Sequence, residues 1–291
     1  MTAYALKLII RYAFDRPTGA GRQLFRILPA EVAGMQSVRH SSVTLTPDVG
    51  PQSRFHDFFG TQVIEASIPS GHTALELTLT AEVDRMAEPL LDISVPLSDL
   101  EREIAAHHSV GPRAPHHFTL PSRRIPADPA IAGFARDLAA GCTTVRDLVE
   151  QTGRALHRHM TFDPAATTVD TPPAEAFAAA RGVCQDFAHI MVGALRTLGV
   201  PAAYVAGYLR TDPPPGKPRL TGADAMHAWV RAWGGEEMGW IDYDPTNACF
   251  AARDHIDIGF GRDYADVAPV TGMLRLDGNQ TGSHSVDIVP L

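Results

Sequence analysis

The chain has 291 residues, 45% of them hydrophobic and 20% charged, with a formal net charge of -8. That is enough apolar material for one or two buried cores, and an acidic balance without a basic stripe argues against nucleic acid as a partner. No apolar run approaches the roughly 20 residues that span a bilayer, and Met1–Tyr12 lacks the three-part layout of a signal peptide, so a cytoplasmic protein with no membrane partner is expected.

From Ala3 to about Val95, short alternating or apolar runs are broken by Gly, Pro, Asp and Ser: Tyr4 to Phe14, Gln23 to Leu28, Ser37 to Thr46, Thr61 to Ile68 and Thr73 to Val83. Period-two alternation between such breaks predicts strands. Residues 1–100 are therefore expected to form an antiparallel, sandwich-like β domain. Residues 101–127 carry His107, His108, His116, His117 and four prolines among few apolar side chains, which suits a connection. Residues 128–291 are expected to form a second domain.

That second domain opens with helix signals. Asp128 can cap a helix starting at Pro129, with Gly141 at its end, and Thr143 or Thr144 can cap a helix from Val145 to about Met160. After the break at Thr171–Pro173, Arg181-Gly182-Val183-Cys184-Gln185-Asp186-Phe187 leads from a glycine turn into a helix whose stripe is Phe187, Ile190, Met191, Ala194, Leu195 and Leu198, closed by Gly199 and Pro201. Cys184 thereby stands in a first helical turn, where free N–H groups and the macrodipole favour a thiolate. Cys142, Cys184 and Cys249 show no paired spacing, so neither a disulfide framework nor a zinc knuckle is expected.

Ala225–Trp233 and Met238–Asp244 read as a hairpin around Gly234-Gly235-Glu236-Glu237. With those four residues as the loop, Trp233 faces Met238 and His227 faces Asp244, close enough for a carboxylate to hold an imidazole. Asp242 shares that face and is the rival orienter, opposite Trp229 in this register. A thiol at a helix start, a His and an Asp supply nucleophile, base and orienter for covalent catalysis. Taken singly, each has a plainer reading: a packed Cys, a hydrogen-bonded core His, and an Asp starting a turn before Pro245.

Gly182-Val183-Cys184-Gln185-Asp186-Phe187-Ala188-His189, then His227-Ala228-Trp229-Val230, then Trp240-Ile241-Asp242-Tyr243-Asp244-Pro245-Thr246-Asn247 resemble, in order and spacing, the three catalytic blocks of bacterial transglutaminase-like proteins, often described as cysteine proteases. Tyr12–Pro17, Gln36–Pro47, Phe58-Phe59-Gly60 and His72 resemble the β-rich N-terminal domain that accompanies that core, and Gly261–Val267 a segment that follows it; Thr61 stands where Asn is usual. The resemblance implies an α+β fold with a papain-like core, Cys184 as nucleophile, His227 as base, Asp244 rather than Asp242 as third member, and neither a metal nor an organic cofactor.

The expected chemistry is attack of Cys184 on a peptide, isopeptide or other carboxamide carbon, with the acyl group passing to water, or alternatively to an amine as in crosslinking. The Cys184 N–H is an expected oxyanion donor, with Gln185, Trp229 and Trp240 as candidates for a second donor or for substrate contact. Two other classes compete: a binding module that retains the fold without turnover, and a metal site built on His107, His108, His116, His117, His157 and His159, which lack the Cys or carboxylate companions usual for zinc. His189 reads as a packed helix residue rather than a second base.

Overall fold

The computed structural model describes residues 1–86, 91–212, 222 and 224–291. Six strands come first: β1 (Thr2–Phe14), β2 (Gly21–Phe25), β3 (Gln36–Thr46), β4 (Gln52–His56), β5 (Gln62–Ile68) and β6 (Ala74–Arg85). Helices follow: α1 (Leu100–Ala106), a single 3-10 turn at Pro115–Phe118, α2 (Pro129–Ala139) and α3 (Val145–His159). Next come a two-residue strand β7 (Thr161–Phe162), α4 (Pro173–Ala179), β8 (Arg181–Gly182) and α5 (Cys184–Thr197). The chain then forms β9 (Ala202–Leu209), β10 (Ala225–Trp233), β11 (Trp240–Asp244), β12 (Cys249–Phe250), β13 (His255–Gly261), α6 (Tyr264–Val267), β14 (Val270–Leu274) and β15 (Gln280–Pro290). None of these helices is long and apolar enough to cross a membrane.

The fold is α+β. Two four-stranded antiparallel sheets, ordered β15-β1-β6-β3 and β14-β2-β5-β4, close over a core that includes Leu6, Leu8, Phe25, Ile64, Leu77 and Leu79. The strands at residues 270–274 and 280–290 belong to these sheets, so the chain does not divide at 128 as expected. It leaves the first unit, builds the second, and returns to complete the first. Inside the expected connection, α1 and the 3-10 turn are ordered, the latter burying Phe118 against Trp229 and Phe260.

The second unit is a five-stranded sheet, β12-β11-β10-β9-β13, covered on one face by α3 and α5, against which α2 packs from outside. Its helices start where their caps predict: Asp128 accepts from Ala130 and Ile131 N–H, and Thr144 accepts from Asp147 N–H. The end of α2 falls on Ala140, one residue before the expected Gly141. Beyond the helices, the end of β9 and the edge strand β13 meet the N-terminal sheets, where Tyr208, Ile256 and Ile258 join their core and Tyr208 Oη donates to Ile27 O at 2.6 Å.

The seam between the units holds a buried quartet of charges. Arg231 grips Asp242 through two bonds of 2.6 Å and reaches Asp257 at 2.9 Å, while Arg85, at the end of β6, lies 3.4 Å from Asp257 and donates to His255 O at 2.7 Å. Two arginines and two aspartates leave no net charge, which is how so many ions tolerate burial. Arg85→Met, which unbalances the set, is expected to cost about 3–5 kcal/mol, read as a lower urea midpoint at unchanged slope.

Candidate active site

Cys184 is the first residue of α5, reached through Val183 in extended backbone (φ -103°, ψ 176°). The turn is locked by Asp186, whose Oδ2 accepts from Val183 N–H at 2.8 Å and from Thr167 Oγ1 at 2.6 Å. Burial nonetheless dominates over those two bonds and raises the Asp186 carboxyl above its ordinary value. The first N–H groups of a helix have no intrahelical acceptor, so those at Cys184 and Gln185 remain available to a ligand.

His227 and Asp244 meet as expected, with Nε2 to Oδ2 at 2.8 Å, but through a different register. Trp233 pairs with Trp240 and Val230 with Tyr243, so the strands are offset by two residues from the expected alignment and Asp244 lies diagonal to His227. The loop is longer than four residues: Gly234 N–H donates to Gly239 O, Gly239 N–H donates to Gly235 O, and both Gly235 (φ 104°) and Gly239 (φ 68°) need left-handed backbone. A slip of two keeps side-chain parity, which is why the pair survives; a slip of one would have parted it. In the observed register Asp242 faces Arg231 instead of Trp229 and is held by it, which removes the rival orienter.

The reading from sequence missed His255. Its Nε2 lies 3.1 Å from Asp244 Oδ2, while its Nδ1 accepts the Ala252 N–H at 3.3 Å. An accepting Nδ1 puts the proton on Nε2, so a neutral His255 donates to the carboxylate. Asn247 Nδ2 donates to the same oxygen at 2.6 Å, and the N–H groups of Thr246 and Asn247 donate to Oδ1 at 2.9 and 3.2 Å. Asp244 is fully buried and receives five donors. Burial by itself would raise its carboxyl; the bonds from His227 and His255 outweigh that and hold it far below the usual carboxylate range. Sequence offered one hint, the Asp-Pro-Thr-Asn turn that supplies three of the donors.

Because Nε2 of His227 is engaged, Nδ1 is the ring nitrogen left for the thiol. Burial lowers the affinity of this ring for a proton, but the hydrogen bonds to Asp244 and Cys184 and their charges overcome it and push the imidazole up to about 10. Cys184, His227 and Gln185 line one cleft of about 410 Å³, whose opposite wall carries Ile10, Tyr12 and His284 from β1 and β15. Gln185 Nε2 donates one hydrogen to Val169 O at 3.1 Å and keeps a second.

Two expected contact residues lie elsewhere. Trp229 is fully buried behind the histidines, its ring edge-on to His255 at 5.2 Å, and Trp240 packs edge-on against Phe118 at 5.4 Å; neither lines the cleft. Opposite His227 on β9 stands Gly207, where a Cβ would overlap the Trp229 ring, so the close approach requires glycine. His189 is buried, accepts the Tyr264 N–H at 3.2 Å, and is lowered by burial to about 4, which keeps it neutral.

Metal chemistry finds little support in the donor geometry. Nε2 of His227, Oδ2 of Asp244 and Nε2 of His255 lie within 4.8 Å of one another, but they already bond directly, so a cation would have to displace those bonds. His116, His117, His157 and His159 each spend a ring nitrogen on a backbone carbonyl, and His107 spends one on Glu236.

Residues 132–245 match the transglutaminase-like superfamily, and residues 4–84 match the bacterial transglutaminase-like N-terminal region. An uncharacterized protein of Mycobacterium leprae is 30% identical over 281 residues, 96% of this chain and 94% of that one. An uncharacterized protein of Mycobacterium tuberculosis is 42% identical over 150 residues, half of this chain and 46% of the other, so the matched stretch spans about half the length of that relative. The fold is also that of a candidate cysteine protease from Cytophaga hutchinsonii, with a TM-score of 0.76 at 21% identity over 100% of this chain and 91% of that one.

Proposed function

The chain belongs to the transglutaminase-like superfamily, and from that premise we propose that it is a cysteine acyl-transfer enzyme that opens carboxamide bonds through a Cys184 thioester. The observation that carries this reading is the 2.8 Å bond from His227 to a saturated Asp244, on a ring whose free nitrogen is turned over to the Cys184 thiol. His227 takes the thiol proton at Nδ1 and the sulfur attacks the carbonyl carbon. The developing oxyanion is met by the Cys184 N–H and by the uncommitted N–H of Gln185 Nε2. Collapse breaks the C–N bond, His227 returns its proton to the leaving nitrogen, and water then cleaves the thioester. His255 acts through Asp244, holding the carboxylate in the plane that fixes the His227 tautomer.

Hydrolysis of a peptide, isopeptide or related amide is the preferred outcome, with transfer to an amine as the alternative. Product mass spectra in the presence of a primary amine separate them: incorporation faster than hydrolysis reverses the order.

The nucleophile is tested by iodoacetamide. The other thiols are unfavourably placed, since desolvation and the nearby Asp147 raise Cys142, and desolvation with the Asp244 charge pushes Cys249 up to about 11. At mildly acidic pH, alkylation is expected at Cys184 alone and to be lost in His227→Ala. Equal labelling of all three cysteines would leave the acyl-transfer reading without its nucleophile.

A further inference from the structure

The cleft is an opening between two strands that part from one bridge. Asp224, just before β10, donates its N–H to Val286 O on β15 at 3.2 Å, and its Oδ2 accepts the Ile288 N–H at 2.6 Å. Beyond that bridge the strands splay. One jaw carries Met226 and His227 of β10, the other Gly282, Ser283 and His284 of β15, and Cys184 lines the space they enclose.

β15 is the outermost strand of its sheet, paired with β1 on one side. In an antiparallel strand the N–H and C=O of one residue point the same way, and the direction alternates along the chain. The bonds to Asp224 mark 286 and 288 as pointing away from β1. The β1–β15 register runs unbroken from Pro290 to Gln280, so 284, 282 and 280 point outward as well. Among the described residues, none of these three finds an outward backbone partner. Edges that must stay unpaired are commonly blunted with lysine, proline or a bulge; the exposed stretch Gln280-Thr281-Gly282-Ser283-His284 has none of these.

We infer that the substrate is an extended polypeptide segment that adds as a strand to the free edge of β15 at Gly282 and His284, which carries its amide past Cys184. This rests on the proposed role of Cys184 and adds the class of substrate. Main-chain pairing would accept many sequences, with selectivity left to side chains that meet Ile10 and Tyr12, on the face that His284 and Gly282 share.

The test uses a tetrapeptidyl chloromethyl ketone, on which the Cys184 sulfur displaces chloride, with iodoacetamide as the reference reagent. Each backbone nitrogen of the peptide is methylated in turn, and the rate relative to iodoacetamide is compared. Strand addition predicts a drop of about tenfold at alternate nitrogens, since only every second N–H pairs. His284→Pro, which deletes an outward N–H at a backbone angle a strand tolerates, is expected to fall at least about fivefold below His284→Ala in the same ratio. Equal loss at every nitrogen, no loss at any, or identical ratios for the two His284 variants would overturn the edge proposal while leaving iodoacetamide labelling of Cys184 intact. Failure of iodoacetamide to single out Cys184 would instead remove the nucleophile, and the edge proposal with it.

Discussion

Exchanging Asp244 for asparagine is expected to lower turnover by about four orders of magnitude, the scale seen when the orienting carboxylate of a serine triad is amidated. The two side chains fill nearly the same volume, so the loss comes from hydrogen-bond polarity. Asp244 Oδ2 receives His227, His255 and Asn247, and Oδ1 receives two backbone N–H groups. An amide can offer one oxygen to these five donors. If its NH2 faces His227, the ring must accept at Nε2 and carry its proton on Nδ1, the nitrogen that has to take the thiol proton. Hydrolysis of p-nitrophenyl acetate reports the effect, and a fall of less than about tenfold would take Asp244 out of the mechanism. Asp242→Asn provides the contrast. It breaks the grip on Arg231 and is expected to cost about 3–5 kcal/mol of stability while Cys184 still reacts with iodoacetamide.

The second large effect is in pH. Burial disfavours a charged His227, yet its bonds to Asp244 and Cys184 raise it from an ordinary 6.5 to about 10. A group that binds its proton more tightly when folded stabilises the fold fully below its unfolded value, and that contribution is lost as pH rises through the folded one. The melting temperature is therefore expected to hold up to about pH 6.5 and decline toward pH 10, with the decline flattened in His227→Gln. Calorimetry from pH 5.5 to 10.5 checks this; parallel curves for wild type and variant would mean that the ring carries no extra proton in the folded protein. Asp244 acts in the opposite sense, since its lowered carboxyl stabilises the fold above 3.8 and loses that effect only under strong acid.

Local signals in the residue string located the nucleophile helix and its neighbours well. Asp128 and Thr144 cap the helices they were expected to cap, and Cys184 begins α5, because caps and stripes act within a few residues. The hairpin shows the reach of such reasoning. Alternation placed His227, Asp242 and Asp244 on one face, but the ladder depended on where the glycine loop closed, and the alignment came out two residues away. His255 escaped because its role depends on β13 lying beside β9, 46 residues earlier at the Leu209–His255 pair (255 - 209), a proximity that no short pattern records. The same reason hid β14 and β15, whose partners lie near the start of the chain, and prolines and histidines masked α1 and the 3-10 turn.

The pairing of β15 with β1 also sets an order of events during synthesis. Tyr4 lies opposite Pro290, so β1 finds one of its two neighbours only after 285 intervening residues have been translated (290 - 4 - 1). At roughly 5–20 residues per second, that is a delay on the order of ten seconds to a minute. Through that interval β6 can cover only the other flank of β1, and the flank that awaits β15 stands as a bare edge of the kind that pairs with foreign strands.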